Sequence, residues 1–273
     1  MSYALAAAAG TLAYVAWRGG RRRCIENMRH VLRDNPRAAR RAARRSFANY
    51  ARYLVDFLRF DAITAQDVRD RVAFDGWSVL DATRTGNGIV FVTLHFGNWD
   101  LGAAALAGHG YPISAVADTF GDSRLNERVL RARRHLGMQI VAAERMGPSV
   151  LRALRRNGVV ALLIDVPQAA PARGVEVQFF GSTVAVADGP ARIALRAGAA
   201  VVAATLPRID PWSDRVTAEV TPVAFEPSGD QERDVQALTQ AVMHALEPMV
   251  RRHPEQWYIF RRLWLADRPA DSA

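Results

Sequence analysis

The chain has 273 residues, half of them hydrophobic, with a formal net charge of +9 and a mean hydropathy of -0.06. This length fits one large domain or two small ones, and the composition excludes a polytopic membrane protein and a disordered chain. The one cysteine, Cys24, excludes an internal disulfide bond and any zinc site built from cysteines.

The positive charge is concentrated in one segment. All 36 basic residues are arginine. Residues 18–45 hold eleven arginines against Glu26 and Asp34, a balance of +9 that equals the charge of the whole chain. The remainder of the sequence is therefore neutral overall, and the basic character needs a local explanation.

The first 17 residues carry no charged side chain and are followed by "RGGRRR". A secretory signal carries its positive charge before the apolar stretch, which is the opposite order. Seventeen residues lie at the lower limit for spanning a bilayer. We interpret the segment as a helix that dips into or lies on a membrane, with a buried domain helix as an equally weighted alternative. If it spans, the arginines after it place the rest of the chain in the cytoplasm.

Residues 37–60 have the pattern of an amphipathic helix. At about 100° per residue, Phe47, Tyr50, Leu54 and Phe57 lie opposite a stripe of arginines. A solvated face is the usual meaning of such a stripe, but the single sign of its charge favours an anionic partner, either lipid or nucleic acid. This basic stripe consists of Arg37, Arg41, Arg44, Arg45, Arg52 and Arg59, and we take the first five as membrane-binding candidates.

From residue 71 onward, apolar runs alternate with helical patterns. The predicted strands are Gly88–Leu94, Pro112–Ala117, Gln139–Ala142, Val159–Asp165, Val175–Phe180, Ala200–Leu206 and Val216–Val220. The predicted helices lie near residues 98–108, 123–136, 147–156, 189–197 and 232–252. Several strands are continuous apolar runs, which is typical of strands covered on both faces. We therefore predict a single α/β domain with a central, mostly parallel or mixed sheet flanked by helices over residues 61–273, and a helical, arginine-rich region over residues 1–60 packed on it.

The segment "TLHFGNWDLG" places His95 at the end of a predicted strand and Asp100 at the start of the next helix. Because the chain folds back at a strand–turn–helix junction, the two side chains can meet, and such junctions are where open α/β sheets bind ligands. A carboxylate beside one imidazole nitrogen makes the other nitrogen a competent general base. Gly97 permits a tight turn, and Asn98 can brace the loop or cap the helix. We predict His95 as the base and Asp100 as the residue that orients it, although a lone histidine at a strand end is more often structural.

Other catalytic patterns are missing from the sequence. "HFGNW" lacks the second histidine and the glutamate of a zinc protease. There is no Gly-x-Ser-x-Gly elbow, and "TGNGIV" lacks the lysine of a phosphate-binding loop. A His–Asp pair without nucleophile or metal suits direct transfer, in which the base deprotonates a hydroxyl that attacks an activated acyl group.

"LHFGNWD" closely resembles the His-x4-Asp motif of the bacterial lipid A late acyltransferases and the mycobacterial phosphatidylinositol mannoside acyltransferases. The resemblance continues at "RARRHLG", "RGVEVQFFGSTVAVADGPARIALRAGA" and "HPEQWYIFRRLW", in the right order over most of the chain. The Asp form of the motif and the "RGVEVQFFG" wording are closer to the mannoside branch.

The resemblance implies transfer of a fatty acyl chain from acyl-CoA or acyl carrier protein to a hydroxyl of a membrane glycolipid. It implies a peripheral or N-terminally anchored enzyme on the cytoplasmic face of the inner membrane, with no metal and no other cofactor. His95 and Asp100 match the catalytic dyad, while Arg133 and Glu176 match polar positions of the active-site groove. We add Asn98 to these two as a substrate-binding candidate. From strand alternation alone, Glu176 is a solvent-exposed residue.

Two alternatives remain at this point. A thioesterase or hydrolase would use the same dyad on water. An arginine-rich nucleic-acid-binding module would need aromatic or amide side chains among the exposed arginines, whereas the aromatics lie on the opposite side of the helix. We therefore expect no nucleic-acid partner, and the oligomeric state is not indicated by the sequence.

Overall fold

The computed structural model describes residues 2–33, 35–84, 86–117, 123–142, 146–166 and 174–267. Three helices form its N-terminal part: α1 (Ser2–Ala16), α2 (Arg18–Val31) and α3 (Pro36–Phe57). The side chain of Asn35 caps α3 by accepting a hydrogen bond from the backbone of Ala38.

Helix α1 packs along α3 with one face and leaves its other face uncovered. Ala6 and Gly10 are buried, whereas Leu5, Leu12 and Val15 are exposed. Within the described part of the chain, every helix is too short or too polar to cross a bilayer. Helix α1 is therefore only partly buried in this structure.

The remaining helices are α4 (Ala65–Arg71), α5 (Trp77–Thr83), α6 (Trp99–Gly108), α7 (Ser123–His135), α8 (Met146–Arg155), α9 (Gly189–Ala197) and α10 (Gln231–Arg252). The strands are β1 (Val72–Ala73), β2 (Ile89–Thr93), β3 (Ile113–Ala117), β4 (Gln139–Ala142), β5 (Val159–Leu163), β6 (Gly174–Phe179), β7 (Ser182–Ala187), β8 (Ala200–Thr205), β9 (Val216–Thr217) and β10 (Glu219–Val223). All the predicted strands and helices are present, with the last predicted strand divided between β9 and β10.

Among the described residues, six strands form the central sheet in the order β10-β8-β2-β5-β3-β4. All neighbours pair in parallel except β10, which runs antiparallel to β8 at one edge. Strands β6 and β7 form a separate antiparallel hairpin, and β1 and β9 a short parallel pair. The predicted α/β fold with a mostly parallel central sheet is confirmed.

The sheet is covered on both faces, as the continuous apolar strands predict. In β2, Val90 and Val92 pack into one hydrophobic cluster, while Ile89 and Phe91 pack into the cluster on the other face. The first cluster also contains Met28 of α2 and other residues of α2 and α3. The N-terminal helices therefore share a hydrophobic core with the sheet.

Candidate active site

His95 lies just beyond the carboxyl end of β2, and its hydrogen-bond partner is Asp165. The Nδ1 atom of His95 is 2.8 Å from Oδ1 of Asp165, and the backbone nitrogen of His95 donates to Oδ2 at 3.0 Å. Trp257 fixes the same carboxylate by donating its indole hydrogen to Oδ2 at 2.9 Å. The expected hydrogen bond between His95 and Asp100 is thus replaced by one to Asp165.

Strand register explains why these two residues meet. In the parallel pair β2–β5, Thr93 lies opposite Leu163, and His95 and Asp165 each follow two residues later. Both chains leave the sheet at the same edge, where the backbone of Ile164 donates to the carbonyl of Thr93. An apolar strand that ends in a carboxylate, beside one that ends in a histidine, is the sequence signal that could have identified Asp165.

The environment of the pair favours a charged carboxylate and a strongly basic imidazole. Burial alone would lower the pKa of His95, but the charge and hydrogen bond of Asp165 outweigh it and raise the pKa above its ordinary value. Burial would raise the pKa of Asp165, but the interactions with His95 and Trp257 lower it. The His95 side chain remains 35% exposed, and its Nε2 atom makes no hydrogen bond among the described residues.

The turn after His95 requires glycine at position 97. Gly97 has a φ of +59°, and a Cβ atom there would lie 1.8 Å from the carbonyl oxygen of Leu206. The backbone N–H of Gly97 donates to the backbone carbonyl of Gln256, and that of Asn98 donates to the backbone carbonyl of Leu206, both at 2.9 Å. The tight turn expected from the sequence is present, and these two hydrogen bonds attach it to the segments that carry Gln256 and Leu206.

Asp100 lies in the first turn of α6, where its charge is neutralised by Arg133. The Nε atom of Arg133 donates to Oδ1 at 2.7 Å, and the Tyr53 hydroxyl donates to Oδ2 at 2.7 Å. Asp100 is 2% exposed. Burial would lower the pKa of Arg133, but the Asp100 carboxylate raises it. Asp100 also acts on His95 through its charge, which raises the pKa of the imidazole.

Asn98 has an internal structural role. It is 1% exposed, its Oδ1 atom caps α6 by accepting from the backbone of Leu101, and its Nδ2 atom donates to Asp56 at 3.2 Å. Asp56 in turn forms a buried ion pair with Arg208. The capping role that the sequence offered for Asn98 is therefore present. Its side chain is enclosed, and its assignment as substrate-binding stays a prediction.

Glu176 lies on β6, away from these residues. It is exposed, as is Gln178, whereas Val177 and Phe179 are buried, so the alternation follows the prediction from the sequence. The backbone carbonyl of Glu176 accepts a hydrogen bond from Gln236 of α10 at 3.4 Å. No contact between the Glu176 side chain and His95, Asp100 or Arg133 is present among the described residues.

The basic stripe is exposed along most of α3 but not at Arg52. Arg37, Arg41, Arg44 and Arg45 are exposed. Arg52 is 8% exposed, donates to Asn49 at 2.7 Å and lies 5.5 Å from the ring of Trp212. Arg52 therefore lies outside the exposed part of the stripe, and its assignment as membrane-binding stays a prediction.

An apolar cavity of about 50 Å³ has Thr93 and Trp99 in its lining. The Trp99 ring lies 5.3 Å from the His95 ring, so the cavity is near His95 through Trp99. Trp77 also lines the cavity and stacks at 3.9 Å on His109, just beyond the C-terminal end of α6. Small residues form much of the wall between the two tryptophans: Gly102, Ala103, Ala105, Ala161, Ala204 and Ala218.

Within the described ranges, no cluster of three or more His, Cys, Asp or Glu side chains is arranged to hold a metal ion. The expectation that the protein needs no metal stays a prediction. The chemistry available from the residues present is proton transfer at His95, supported by the buried Asp165.

The chain is similar to named proteins over most of its length. The chain is 30% identical over 264 residues to a phosphatidylinositol mannoside acyltransferase of Mycolicibacterium smegmatis, covering 93% of this chain and 83% of that protein. It is 31% identical to a phosphatidylinositol mannoside acyltransferase of Mycobacterium tuberculosis, with 93% and 80% covered. The sequence pattern of the bacterial lipid A biosynthesis acyltransferases matches residues 2–266, so the chain belongs to that family.

Proposed function

We propose that the protein transfers a fatty acyl chain from acyl-CoA or acyl carrier protein to a hydroxyl of a membrane glycolipid, with His95 as general base. The observation that carries this proposal is the His95–Asp165 pair beside the apolar cavity. The family supports acyl transfer, and the names of the relatives favour a glycolipid acceptor.

In the proposed reaction, Nε2 of His95 takes the proton of the acceptor hydroxyl as its oxygen attacks the thioester carbonyl. The hydrogen bond from Nδ1 to Asp165 fixes the tautomer that leaves Nε2 unprotonated. The negative charge of Asp165 then stabilises the imidazolium, which gives the proton to the departing thiolate. Asp100 adds a weaker field at His95 and positions Arg133 and Tyr53.

The apolar cavity is the proposed site of the acyl chain. It extends along α6 from Trp99 to Leu106, a distance of about 10 Å at 1.5 Å per residue. Its volume of about 50 Å³ is small, so a fatty chain has to displace side chains to enter fully. The wall of glycine and alanine leaves the aromatic rings as the main obstacles, with Trp77 at the far end.

The N-terminal region is the proposed contact with the membrane. Arg37, Arg41, Arg44 and Arg45 offer positive charge to anionic headgroups, and each such residue contributes about 1 kcal/mol near an anionic surface. The uncovered face of α1 offers Leu5, Leu12 and Val15 to the interface. We propose peripheral attachment at the cytoplasmic face of the inner membrane.

The test measures thioester consumption and acyl-glycolipid formation with purified enzyme, with and without added glycolipid. The proposal expects the two rates to match and to depend on the glycolipid. His95→Ala should lose transfer by roughly 100-fold or more, as expected when a general base is removed. His244→Ala, an exposed histidine on α10, is the control and should keep wild-type activity.

Two results would overturn the proposal. If the wild type releases free fatty acid equally fast without acceptor, the protein is a thioesterase. If His95→Ala retains transfer within a few fold of wild type, His95 is not the base.

A further inference from the structure

We propose that the indole N–H of Trp99 is a catalytic hydrogen-bond donor to the carbonyl oxygen of the thioester. This inference rests on the proposed function and deepens it. It assigns a residue to the negative charge that develops on that oxygen during acyl transfer, for which His95 and Asp165 provide no donor.

Trp99 lies where such a donor is needed. It is the first residue of α6, four residues after His95, and the two rings are 5.3 Å apart and nearly perpendicular. The Trp99 ring also stacks on Tyr53 at 4.2 Å, which restrains the plane of the indole. Trp99 also lines the apolar cavity. A thioester whose chain occupies the cavity therefore has its carbonyl group beside both rings.

The indole N–H of Trp99 lacks an acceptor in this structure. Its Nε1 atom is buried and has no hydrogen-bond partner among the described residues. The two fully buried tryptophans differ, since Trp257 donates to Asp165 at 2.9 Å and Trp264 donates to the carbonyl of Phe179 at 3.1 Å. Buried donors are nearly always satisfied, so a buried donor left open beside the proposed base indicates an acceptor that arrives with the substrate.

The walls of the cavity make Trp99 the best-placed donor. Among the lining residues that the structure describes, the only hydrogen-bonding side-chain groups are the indoles of Trp99 and Trp77 and the hydroxyl of Thr93. That hydroxyl donates to the backbone carbonyl of Leu94 at 3.4 Å. Trp77 lies near the opposite end of α6, where it stacks on His109. In such an apolar setting a single preorganised hydrogen bond to a developing charge is strong.

The step balances as follows. The acceptor hydroxyl loses its proton to Nε2 of His95, and its oxygen forms a bond to the carbonyl carbon. The π electrons of the carbonyl move to its oxygen, which accepts the hydrogen bond from Nε1 of Trp99. The carbonyl then re-forms as the carbon–sulfur bond breaks, and the thiolate takes the proton from His95. No oxidant, reductant or metal is needed.

The test compares Trp99→Phe with Trp264→Phe. Both changes remove a buried indole N–H, but only the first lies beside the proposed base. Trp99→Phe should lower kcat by roughly 100-fold, as expected for the loss of one oxyanion donor, with a much smaller change in KM for the thioester. Trp264→Phe should lower the melting temperature while leaving kcat near wild type.

A binding measurement separates a hydrogen bond from a packing effect. A ketone analogue of acyl-CoA, with a methylene group between the carbonyl carbon and the sulfur, keeps the carbonyl, whereas an S-alkyl-CoA thioether lacks it. Trp99→Phe should weaken binding of the ketone but not of the thioether. In ¹⁵N-edited NMR spectra of the wild type, the indole signal that is missing in Trp99→Phe should move downfield with the ketone only.

The inference is overturned if Trp99→Phe keeps wild-type kcat, or if it weakens both analogues equally, because the indole then only packs. In either case His95→Ala would still abolish transfer, so the proposed function would stand. If the wild type binds neither analogue and transfers no acyl group, both the inference and the proposed function fail.

Discussion

Replacing Asp165 with asparagine tests the pair on which the proposed chemistry depends. Asparagine has nearly the same shape and can still hydrogen-bond, but it carries no charge. In the wild type the negative charge of Asp165 overcomes burial and raises the pKa of His95. Without that charge, burial dominates, and the pKa of His95 should fall below its wild-type value.

The expected loss of activity follows from the same geometry. An asparagine can donate to Nδ1 and thereby favour the tautomer with the proton on Nε2, which cannot accept the proton of a hydroxyl. The imidazolium would also lose its counter-charge. The kcat should therefore fall by about 100- to 10,000-fold. Because His95 acts as a base only when neutral, the acidic limb of the remaining pH profile should move to lower pH.

Stability should respond to pH with a definite sign. The raised pKa of His95 stabilises the folded state below the unfolded value of 6.5 and loses this effect as pH rises through the folded pKa. The lowered pKa of Asp165 stabilises it above the unfolded value of 3.8 and loses this effect as pH falls through the folded pKa. The difference in unfolding free energy between wild type and Asp165→Asn should thus be largest between these two values.

The assays are kcat/KM against pH, urea unfolding at several pH values, and NMR titration of the His95 ring. Asp267→Asn is the matched control, because Asp267 pairs with His30 at 2.9 Å, outside the candidate site. The reasoning is refuted if Asp165→Asn keeps the wild-type pKa of His95 and the wild-type kcat, or if Asp100→Asn moves that pKa further.

Three more outcomes are expected. Asp100→Asn removes the counter-charge of Arg133, whose side chain is only 13% exposed, and should cost about 3–5 kcal/mol of unfolding free energy in a urea titration. Equal stability would contradict the ion pair. Glu176→Ala should change stability by less than about 0.5 kcal/mol, because the side chain is exposed, yet weaken transfer to glycolipid more than Gln178→Ala on the same face does. Replacing the three exposed arginines Arg41, Arg44 and Arg45 with glutamine should weaken sedimentation with anionic vesicles without changing activity on a soluble acceptor. Binding of the wild type to these vesicles should fall as salt rises. Equal binding of the wild type to neutral and anionic vesicles would argue against this contact.

The fold could be predicted well where neighbouring residues in the sequence determine the local structure. Continuous apolar runs identified the buried parallel strands, and the helix predicted near residues 189–197 ends at Gly198, which adopts a φ of +62°. The short elements α4, α5, β1 and β7 were not predicted from the sequence. Helix α5 has seven residues, too few for a clear helical period. Strand β7 pairs with β6 across a two-residue turn.

The candidate site could be predicted only in part, because its partners come from distant parts of the chain. His95 was identified from its position at a strand end, and Gly97 from the turn that follows. Asp100 was assigned to His95 because it is near in sequence, whereas the register of β2 and β5 brings Asp165, 70 residues away, to Nδ1. Asp100 instead meets Arg133 and Tyr53, which local patterns do not connect.

Helix α3 connects the two halves of the proposed function. Its first part carries the exposed arginines up to Arg45. In its second part, Tyr53 donates a hydrogen bond to Asp100, and Asp56 accepts one from Asn98. From Arg45 to Tyr53 the rise along the helix is about 12 Å. A rigid element therefore sets the distance between the proposed lipid contact and the turn that carries His95. In the proposed reaction, the acceptor hydroxyl has to reach across that distance from the membrane contact. A sugar-bearing headgroup, which projects from the lipid surface, meets this requirement better than a hydroxyl at the level of the lipid backbone.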